Sequence, residues 1–169
     1  MAKVPDLGTP EEIRAALLPI RHDFSIAVHS LGNAFAVGAI LRTAHSFLAR
    51  EIFIVGDAPY YEKASMGMEK YETIVPCADD ADLLRRIEGR PLWGIEKDAA
   101  RKRLYDVGVF PKDVVFLFGS ERFGLSQEIL AECTDVIGIP MYGVNHSFPV
   151  VVAAGIVMNT WAERNARRD

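Results

Sequence analysis

The sequence predicts an α/β fold in which a mostly parallel sheet carries helices on both faces. Apolar runs of strand length alternate along the chain with stretches whose apolar residues recur at helical spacing. Residues 114–118 are apolar throughout, as expected for a parallel strand that is covered on both faces. Glycine-rich or polar turns at 94–97, 119–124 and 140–149 follow three predicted strands. Ligands of such sheets bind at these turns, beyond the carboxyl ends of the strands.

The elements follow in a regular order. Thr9, Pro10 and the two glutamates after them predict the start of a short accessory helix within residues 1–23. No repeat, low-complexity tract or linker interrupts the chain, so residues 1–169 are expected to form a single domain. The predicted strands are 24–28, 51–55, 73–75, 92–95, 114–118 and 136–139, and the later helices are 33–48, 80–88, 126–132 and 150–164.

Composition narrows the class of protein. A chain of 169 residues with 50% hydrophobic content can bury roughly two-thirds of its unfolded surface without a metal or disulfide. Cys77 and Cys133 are far apart and lack CxxC spacing, so both are expected to be buried fillers, with no metal site. No apolar run has the roughly 18 residues of a membrane span, and we expect a cytoplasmic protein. A net charge of −4 means that any nucleic-acid site must be a local patch.

The first segment of chemical interest is residues 33–44, in which Arg42 lies in a helix of otherwise small and apolar residues. Long apolar neighbours should force this side chain to one edge of the helix. Two interpretations remain open from the residues alone. Arg42 either reaches solvent or an acidic partner, or it serves a functional site.

The second segment is residues 117–126, in which a buried strand runs into a turn with Gly119, Glu121 and Gly124. Glycines allow a close approach to the backbone, and a carboxylate between them can accept hydrogen bonds from a ligand. The same pattern could simply join a strand to a helix. It is neither a GxGxxG fingerprint nor a GxxxxGK[ST] loop, which disfavours NAD chemistry and nucleotide hydrolysis.

The third segment runs from Ile139 to Pro149 and leads into a helix that begins with small residues. Backbone amides at the start of this helix, together with Ser147, can bind polar groups of a ligand. Tight packing of the helix against a neighbour explains the small residues equally well.

Together the three segments resemble the three motifs of the SpoU (TrmH-like) RNA ribose methyltransferases, in the SPOUT superfamily. The resemblance covers residues 25–163, keeps the order and spacing of the motifs, and includes a further family segment at 63–68. It implies a deep trefoil knot in the C-terminal part of the sheet and S-adenosyl-L-methionine as the cofactor, bound in a bent conformation within the knot. The residues that match cofactor-binding positions are Gly94, Ile95, Glu96, Gly119, Ile139, Met141, Ser147 and Phe148.

The implied reaction transfers a methyl group to a ribose 2′-hydroxyl of tRNA or rRNA. Arg42 matches the family arginine credited with activating that hydroxyl, and Glu121 and Ser147 are further catalytic candidates. A guanidinium is a poor base because its pKa is above roughly 12, so we expect Arg42 to stabilise the developing alkoxide or an adjacent phosphate. His146 is a second candidate for moving the proton, the alternative being an exposed loop histidine.

The resemblance also implies a homodimer with a composite site, in which Arg42 of one subunit faces the cofactor of the other. The C-terminal helix is either part of the dimer interface or buried within the subunit. Asn33, Arg42 and Arg122 are expected to contact RNA. The basic patches that either contact RNA or are simply solvated are Arg101, Lys102 and Arg103 with Tyr105, and Arg164 with Arg167 and Arg168.

Two positions depart from the family pattern. Ala36 stands where the first motif often has asparagine, although Asn33 lies one turn earlier. Pro149 stands where the third motif usually has asparagine. These differences leave open an alternative function: a catalytically weak protein of the same fold that binds the cofactor and RNA and acts in assembly.

Overall fold

The computed structural model describes residues 8–30 and 33–165. The strands are β1 Ser25–His29, β2 Ile52–Val55, β3 Ile74–Cys77, β4 Leu92–Ile95, β5 Lys102–Arg103, β6 Val115–Phe118 and β7 Asp135–Gly138. The helices are α1 Pro10–Leu17, α2 Ala34–Ser46, α3 Asp80–Arg86, α4 Gln127–Glu132 and α5 Val150–Asn165. Arg167 and Arg168, which the sequence suggests as RNA contacts, lie outside the described residues.

The strands form one sheet of seven strands in the order β3-β2-β1-β6-β4-β7-β5. Every pairing between them is parallel, which confirms the predicted sheet type. Because β6 pairs with both β1 and β4, the carboxyl ends of β1, β4, β6 and β7 meet near the middle of one edge. This edge is where the three segments of chemical interest leave the sheet.

Side chains of β6 alternate between two cores, one on each face of the sheet. Phe116 and Phe118 belong to the core under α2 and α5, which includes Trp161. Val115 and Leu117 belong to the core under α3 and α4. Helices therefore cover both faces, as the uninterrupted apolar sequence of this strand predicts. The strand lies at the centre of the hydrophobic interior.

The predicted elements are all present, with ends that differ by a few residues. The sequence misses β5, because this strand has only two residues, both charged, at the edge of the sheet. The sequence predicts neither a helix nor a strand between residues 55 and 73, but the structure has short 3-10 helices at Glu62–Ser65 and Met68–Tyr71. The first of these packs on α2 at Gly38, where a Cβ would lie 2.4 Å from the carbonyl oxygen of Tyr61. Gly38 thus permits a close contact between helix and loop.

The accessory helix α1 begins as predicted, with a reciprocal capping box between Thr9 and Glu12. The segment after it is anchored by a buried ion pair, in which a guanidinium nitrogen of Arg21 lies 2.7 Å from a carboxylate oxygen of Glu72. The other oxygen of Glu72 lies 2.7 Å from Nδ1 of His45 in α2. This network ties the start of the described chain to the first large helix.

Both cysteines are buried, which confirms their expected role as fillers. Burial raises the pKa of each thiol to about 11. In the part of the chain that the structure describes, no helix is both long and apolar enough to cross a bilayer. The same residues contain no cluster of three or more potential metal-ligating side chains.

We predict that the native thiols do not react with Ellman's reagent at pH 8. The thiolate is the reactive form, and a thiol whose pKa is about 11 is almost fully protonated at that pH. Unfolding in guanidinium chloride should make two thiols per chain reactive, because an exposed cysteine has a pKa of roughly 8.5. Rapid reaction of one thiol in the native protein would show that the structure places it wrongly.

Candidate active site

A cavity of about 660 Å³ opens at the carboxyl ends of β4, β6 and β7. Its size is within the range of small-molecule sites, about 300 to 1,000 Å³. The loops that follow these three strands surround it, and the start of α5 forms a further wall. Its apolar lining includes Ile95, Phe118, Leu125, Leu130, Ile139 and Phe148. The cavity therefore occupies the position that ligands take in open parallel sheets.

The double-glycine turn after β6 folds back on itself. The amide of Gly124 donates to the carbonyl oxygen of Ser120 at 2.8 Å. A Cβ at Gly119 would lie 2.3 Å from the carbonyl carbon of Gly124, and Gly124 itself has a φ of +65°. Both glycines are therefore required for closure of the loop. From the sequence we expected them to admit a ligand, and the structure gives them this additional role.

Glu121, at the tip of that turn, joins the three segments. The side-chain amide of Asn33 donates to one carboxylate oxygen at 2.7 Å, and the backbone amide of Val150 donates to the other at 3.3 Å. The side chain of Asn33 also caps α2 by accepting from the amide of Ala36 at 3.0 Å. A negative charge between the amino ends of α2 and α5 is favourable for both helix dipoles. The carboxylate therefore fixes the two helix starts relative to the cavity.

The loop from Ile139 to Pro149 is held by hydrogen bonds within the loop and to its neighbours. The side-chain amide of Asn145 donates to the carbonyl oxygen of Ser147 at 2.8 Å, and Nζ of Lys97 donates to that of His146 at 3.1 Å. The carbonyl oxygen of Pro149 accepts from two amides in the first turn of α5. The exposed side chains of Ser147 and His146 line the cavity.

Acidic groups outnumber basic groups around the cavity. Glu96, Asp98 and Glu121 line it, and Lys97 is the one cation among its described lining residues. Taking histidine as neutral, the formal charge of the lining is −2. Such a lining favours a ligand that carries positive charge.

The predicted cofactor residues converge on this cavity with one exception. Ile95, Glu96, Gly119, Ile139, Met141, Ser147 and Phe148 all line it. Gly94 is buried one residue before the cavity, and a Cβ there would lie 3.3 Å from Cδ1 of Leu125 and 3.2 Å from Sγ of Cys133. In the structure Gly94 leaves room for packing behind the wall, and its contact with the cofactor stays a prediction.

The sequence did not identify the apolar floor of the cavity. Phe118, Leu125 and Leu130 belong to hydrophobic segments and have no feature that separates them from ordinary core residues. Their only signal was position, since Phe118 is the last residue of a strand that precedes a glycine turn.

None of the three predicted RNA contacts, Asn33, Arg42 and Arg122, lines the cavity. Arg42 is exposed on α2, and its guanidinium has no hydrogen-bond or ion-pair partner among residues 8–30 and 33–165. Arg42 does not line the cavity of its own chain. Arg122 is also exposed, and its guanidinium carbon lies 5.1 Å from the ring centre of Phe123. Asn33 is engaged by Glu121, as described above.

The sequence profile of the SpoU rRNA Methylase family matches residues 23–159. The chain belongs to this family. The match includes all three segments that meet at Glu121. The family resemblance inferred from the motifs is thus confirmed.

Among curated SpoU relatives, a tRNA (guanosine(18)-2′-O)-methyltransferase of Thermus thermophilus is 29% identical over 143 residues, covering 80% of this chain and 72% of the relative. A protein of Mycobacterium bovis described as an uncharacterized tRNA/rRNA methyltransferase is 28% identical over 167 residues. That match covers 94% of this chain and 51% of the relative. The chain thus spans about half the length of the mycobacterial protein.

Solved SpoU structures share the fold. An AdoMet-bound rRNA methyltransferase from Sinorhizobium meliloti superposes with a TM-score of 0.76 at 24% identity. The superposition covers 88% of this chain and 60% of the other. The seven-stranded parallel sheet and its flanking helices are therefore the architecture of this family.

We predict that Gly119→Ala lowers the free energy of unfolding by about 1 to 3 kcal/mol, because the added methyl overpacks the closed turn. Gly143→Ala is the matched control, since its Cβ would meet no atom closer than 4.0 Å. Urea unfolding at a fixed protein concentration measures both variants. Equal stabilities of the two variants would contradict the loop geometry.

Proposed function

We propose that this SpoU family member transfers a methyl group from S-adenosylmethionine to a ribose 2′-hydroxyl of tRNA or rRNA. The observation that carries the proposal is the bridge at Glu121. It brings the three motif segments together beside a cavity lined by seven residues at family cofactor positions. The names of the Thermus and mycobacterial relatives support this reaction and these substrates.

The cavity fits the proposed cofactor. Its volume of about 660 Å³ suits a nucleoside with an amino-acid tail. Ile139 and Phe148 offer an apolar slot for the adenine ring, and the acidic lining favours a molecule with sulfonium and ammonium charges. When bound, S-adenosylmethionine supplies a reactive methyl group on a positively charged sulfur. AdoMet in the Sinorhizobium structure supports the same assignment.

The chain's own residues would position and activate the ribose. Arg42 is exposed and free of partners in the described residues, so its five N–H donors are available for a ribose oxygen or an adjacent phosphate. Hydrogen bonds from the guanidinium stabilise negative charge as it develops on the attacking oxygen. His146, exposed at the rim of the cavity, is positioned to accept the proton, directly or through water.

The two departures from the family pattern are compatible with activity. Ala36 is buried in α2, and its amide is capped by Asn33, whose side-chain nitrogen reaches Glu121. Asn33 thus supplies a side-chain amide one turn before Ala36, where the first family motif often has asparagine. Pro149 immediately precedes α5, and its carbonyl oxygen accepts from the amides of Val152 and Ala153 in the first turn. Together with membership of a methylase family, these contacts favour the enzyme over the weak assembly protein.

We further propose that the enzyme is a homodimer with a composite active site. Arg42 does not line the cavity of its own chain, so a second subunit is the natural source of this guanidinium. Phe35 and Val152 are exposed apolar residues in the first turns of α2 and α5, which would suit a contact between subunits. One face of α5, with Ala154, Val157, Met158 and Trp161, is buried in the core that this helix shares with α2, so α5 would serve both roles.

Three further predictions concern the knot, the number of domains and the cellular location. The trefoil knot remains a prediction that follows from membership of the SpoU family. A single domain over residues 1–169 is supported by two cores that share one sheet. A cytoplasmic location remains a prediction that follows from an RNA substrate.

Transfer of labelled methyl from S-adenosylmethionine to total RNA, followed by mapping of 2′-O-methylated nucleotides, tests the proposed reaction. We expect label at a defined ribose in tRNA or rRNA. Binding of the cofactor without transfer to any RNA would instead support the assembly protein.

We predict that Arg42→Ala lowers the rate of methyl transfer by about 100-fold or more, because a donor to the developing negative charge is lost. The dissociation constant for S-adenosylmethionine, measured by calorimetry, should change less than about twofold, since Arg42 does not line the cavity of its own chain and its proposed contact is with the RNA. Arg50→Ala, which removes another exposed arginine, is the control and should retain full activity. Normal turnover by Arg42→Ala would refute its assigned role.

Mixing two inactive variants tests the composite site. Arg42→Ala lacks the guanidinium, and Ser147→Trp fills the mouth of the cavity from an exposed position. If each site combines Arg42 of one chain with the cavity of the other, random heterodimers restore about a quarter of wild-type activity. A site built within one chain predicts no recovery after the subunits exchange.

A further inference from the structure

A second groove of about 760 Å³ adjoins the cofactor cavity. Both spaces are lined by Lys97, Ile139, Met141 and His146. The loop after β7 therefore separates the groove from the cavity and has one side toward each. The far wall of the groove is the edge strand β5 and the residues before it. A ligand in this groove would lie directly beside the mouth of the cofactor cavity.

The two spaces carry opposite charge. The groove is lined by four cations and one carboxylate, an excess of three positive charges: Lys97, Arg101, Lys102 and Arg103 against Asp106. The neighbouring cavity has an excess of two negative charges, and the whole chain has a net charge of −4. The groove is therefore a local positive site on an acidic protein, which favours a polyanionic ligand.

The cationic side chains are held in place by the fold. Nε and Nη2 of Arg103 donate to the two carboxylate oxygens of Asp106 at 2.7 and 2.9 Å. Nζ of Lys102 lies 2.5 Å from a carboxylate oxygen of Asp135. A guanidinium nitrogen of Arg101 donates to backbone carbonyls. Preorganised cations lose less conformational freedom when they bind a phosphate.

Exposed aromatic rings flank these cations. Tyr142, on the loop between groove and cavity, is 88% exposed, and Tyr105, just after β5, is 53% exposed. The hydrogen bond to the carboxylate of Asp106 raises the pKa of the Arg103 guanidinium, with a smaller contribution from nearby Tyr142. Aromatic rings beside a positive groove are typical of surfaces that bind unpaired nucleotides, because bases stack on the rings.

We propose that this groove binds the sugar-phosphate backbone and an unstacked base of the RNA next to the target nucleotide. The inference rests on the proposed RNA methyltransferase activity and goes further, because it gives the substrate a path along β5 to the cofactor cavity. RNA held there places the neighbouring ribose at the loop that carries Met141 and His146. The groove thus binds the anionic substrate, and the acidic cavity binds the cationic cofactor.

A charge reversal tests the proposal. Arg103 and Arg85 each have 70% of the side chain exposed, and each pairs with an aspartate three residues away. Arg85 lies on α3, away from the groove, so Arg85→Glu is a matched control for Arg103→Glu. Filter binding of labelled unfractionated tRNA over a series of salt concentrations measures RNA affinity, and calorimetry measures S-adenosylmethionine affinity.

We expect Arg103→Glu to lower tRNA affinity by about tenfold or more and to reduce the salt slope by about one. Cofactor affinity should be unchanged, and Arg85→Glu should match the wild type in both measurements. If Arg103→Glu binds tRNA like the wild type, with the same salt slope, the inference is wrong while the proposed function stands. Weaker cofactor binding in this variant would also overturn it, because the groove would then belong to the cofactor site.

Tyr142→Ala provides an independent test of stacking. This change removes no charge, so tRNA affinity should fall by about fivefold or more with an unchanged salt slope. Unaltered affinity would contradict the stacking role. If the wild-type protein binds neither RNA nor S-adenosylmethionine, the proposed function itself fails. This outcome is measured on the wild-type protein alone, so it is distinct from every result obtained with the variants.

Discussion

The bridge from the carboxylate of Glu121 to Asn33 and Val150 is the contact on which the site depends. Its partners come from the amino ends of α2 and α5, and Glu121 itself lies on the turn after β6. Three segments that are far apart in the sequence are thereby fixed to one another. Two helix dipoles favour the negative charge between them, an effect of about 0.3 to 1 kcal/mol for each exposed helix end. The bridge also leaves the remaining faces of these loops free to line a cavity.

Charge is divided sharply at the edge of the sheet where this bridge lies. Acidic side chains surround the cavity, and basic side chains surround the groove on the other side of the loop after β7. A methyl donor with a sulfonium and an RNA strand have opposite charges. This division of charge therefore favours the methyl donor at the cavity and the RNA at the groove. The overall acidity of the chain, which seemed at odds with RNA binding, is thus compatible with a localised RNA surface.

Much of the fold was predictable because strands and helices of α/β proteins differ strongly in apolar periodicity. The apolar sequence of β6 indicated its central place, but not that it lies between β1 and β4, since strand order depends on contacts distant in sequence. The strand β5 was missed because two charged residues carry no strand signal. In the site, glycines and isolated polar residues were informative, whereas Phe118 and Leu130 were indistinguishable from core. In the proposed homodimer, the position of Arg42 relative to a cofactor depends on contacts between two chains, which no single sequence describes.

Amide chemical-shift mapping during titration with S-adenosylmethionine most directly tests the central claim, that the loops after β4, β6 and β7 form one cofactor pocket. The account predicts one saturable site per chain, with the largest shifts at Ile95, Gly119, Ile139 and Ser147, on all the loops that line the cavity. The amides at the opposite ends of the strands, such as that of Arg50, should remain unchanged. No shift at saturating cofactor, or shifts confined to one loop or to another face, would contradict it.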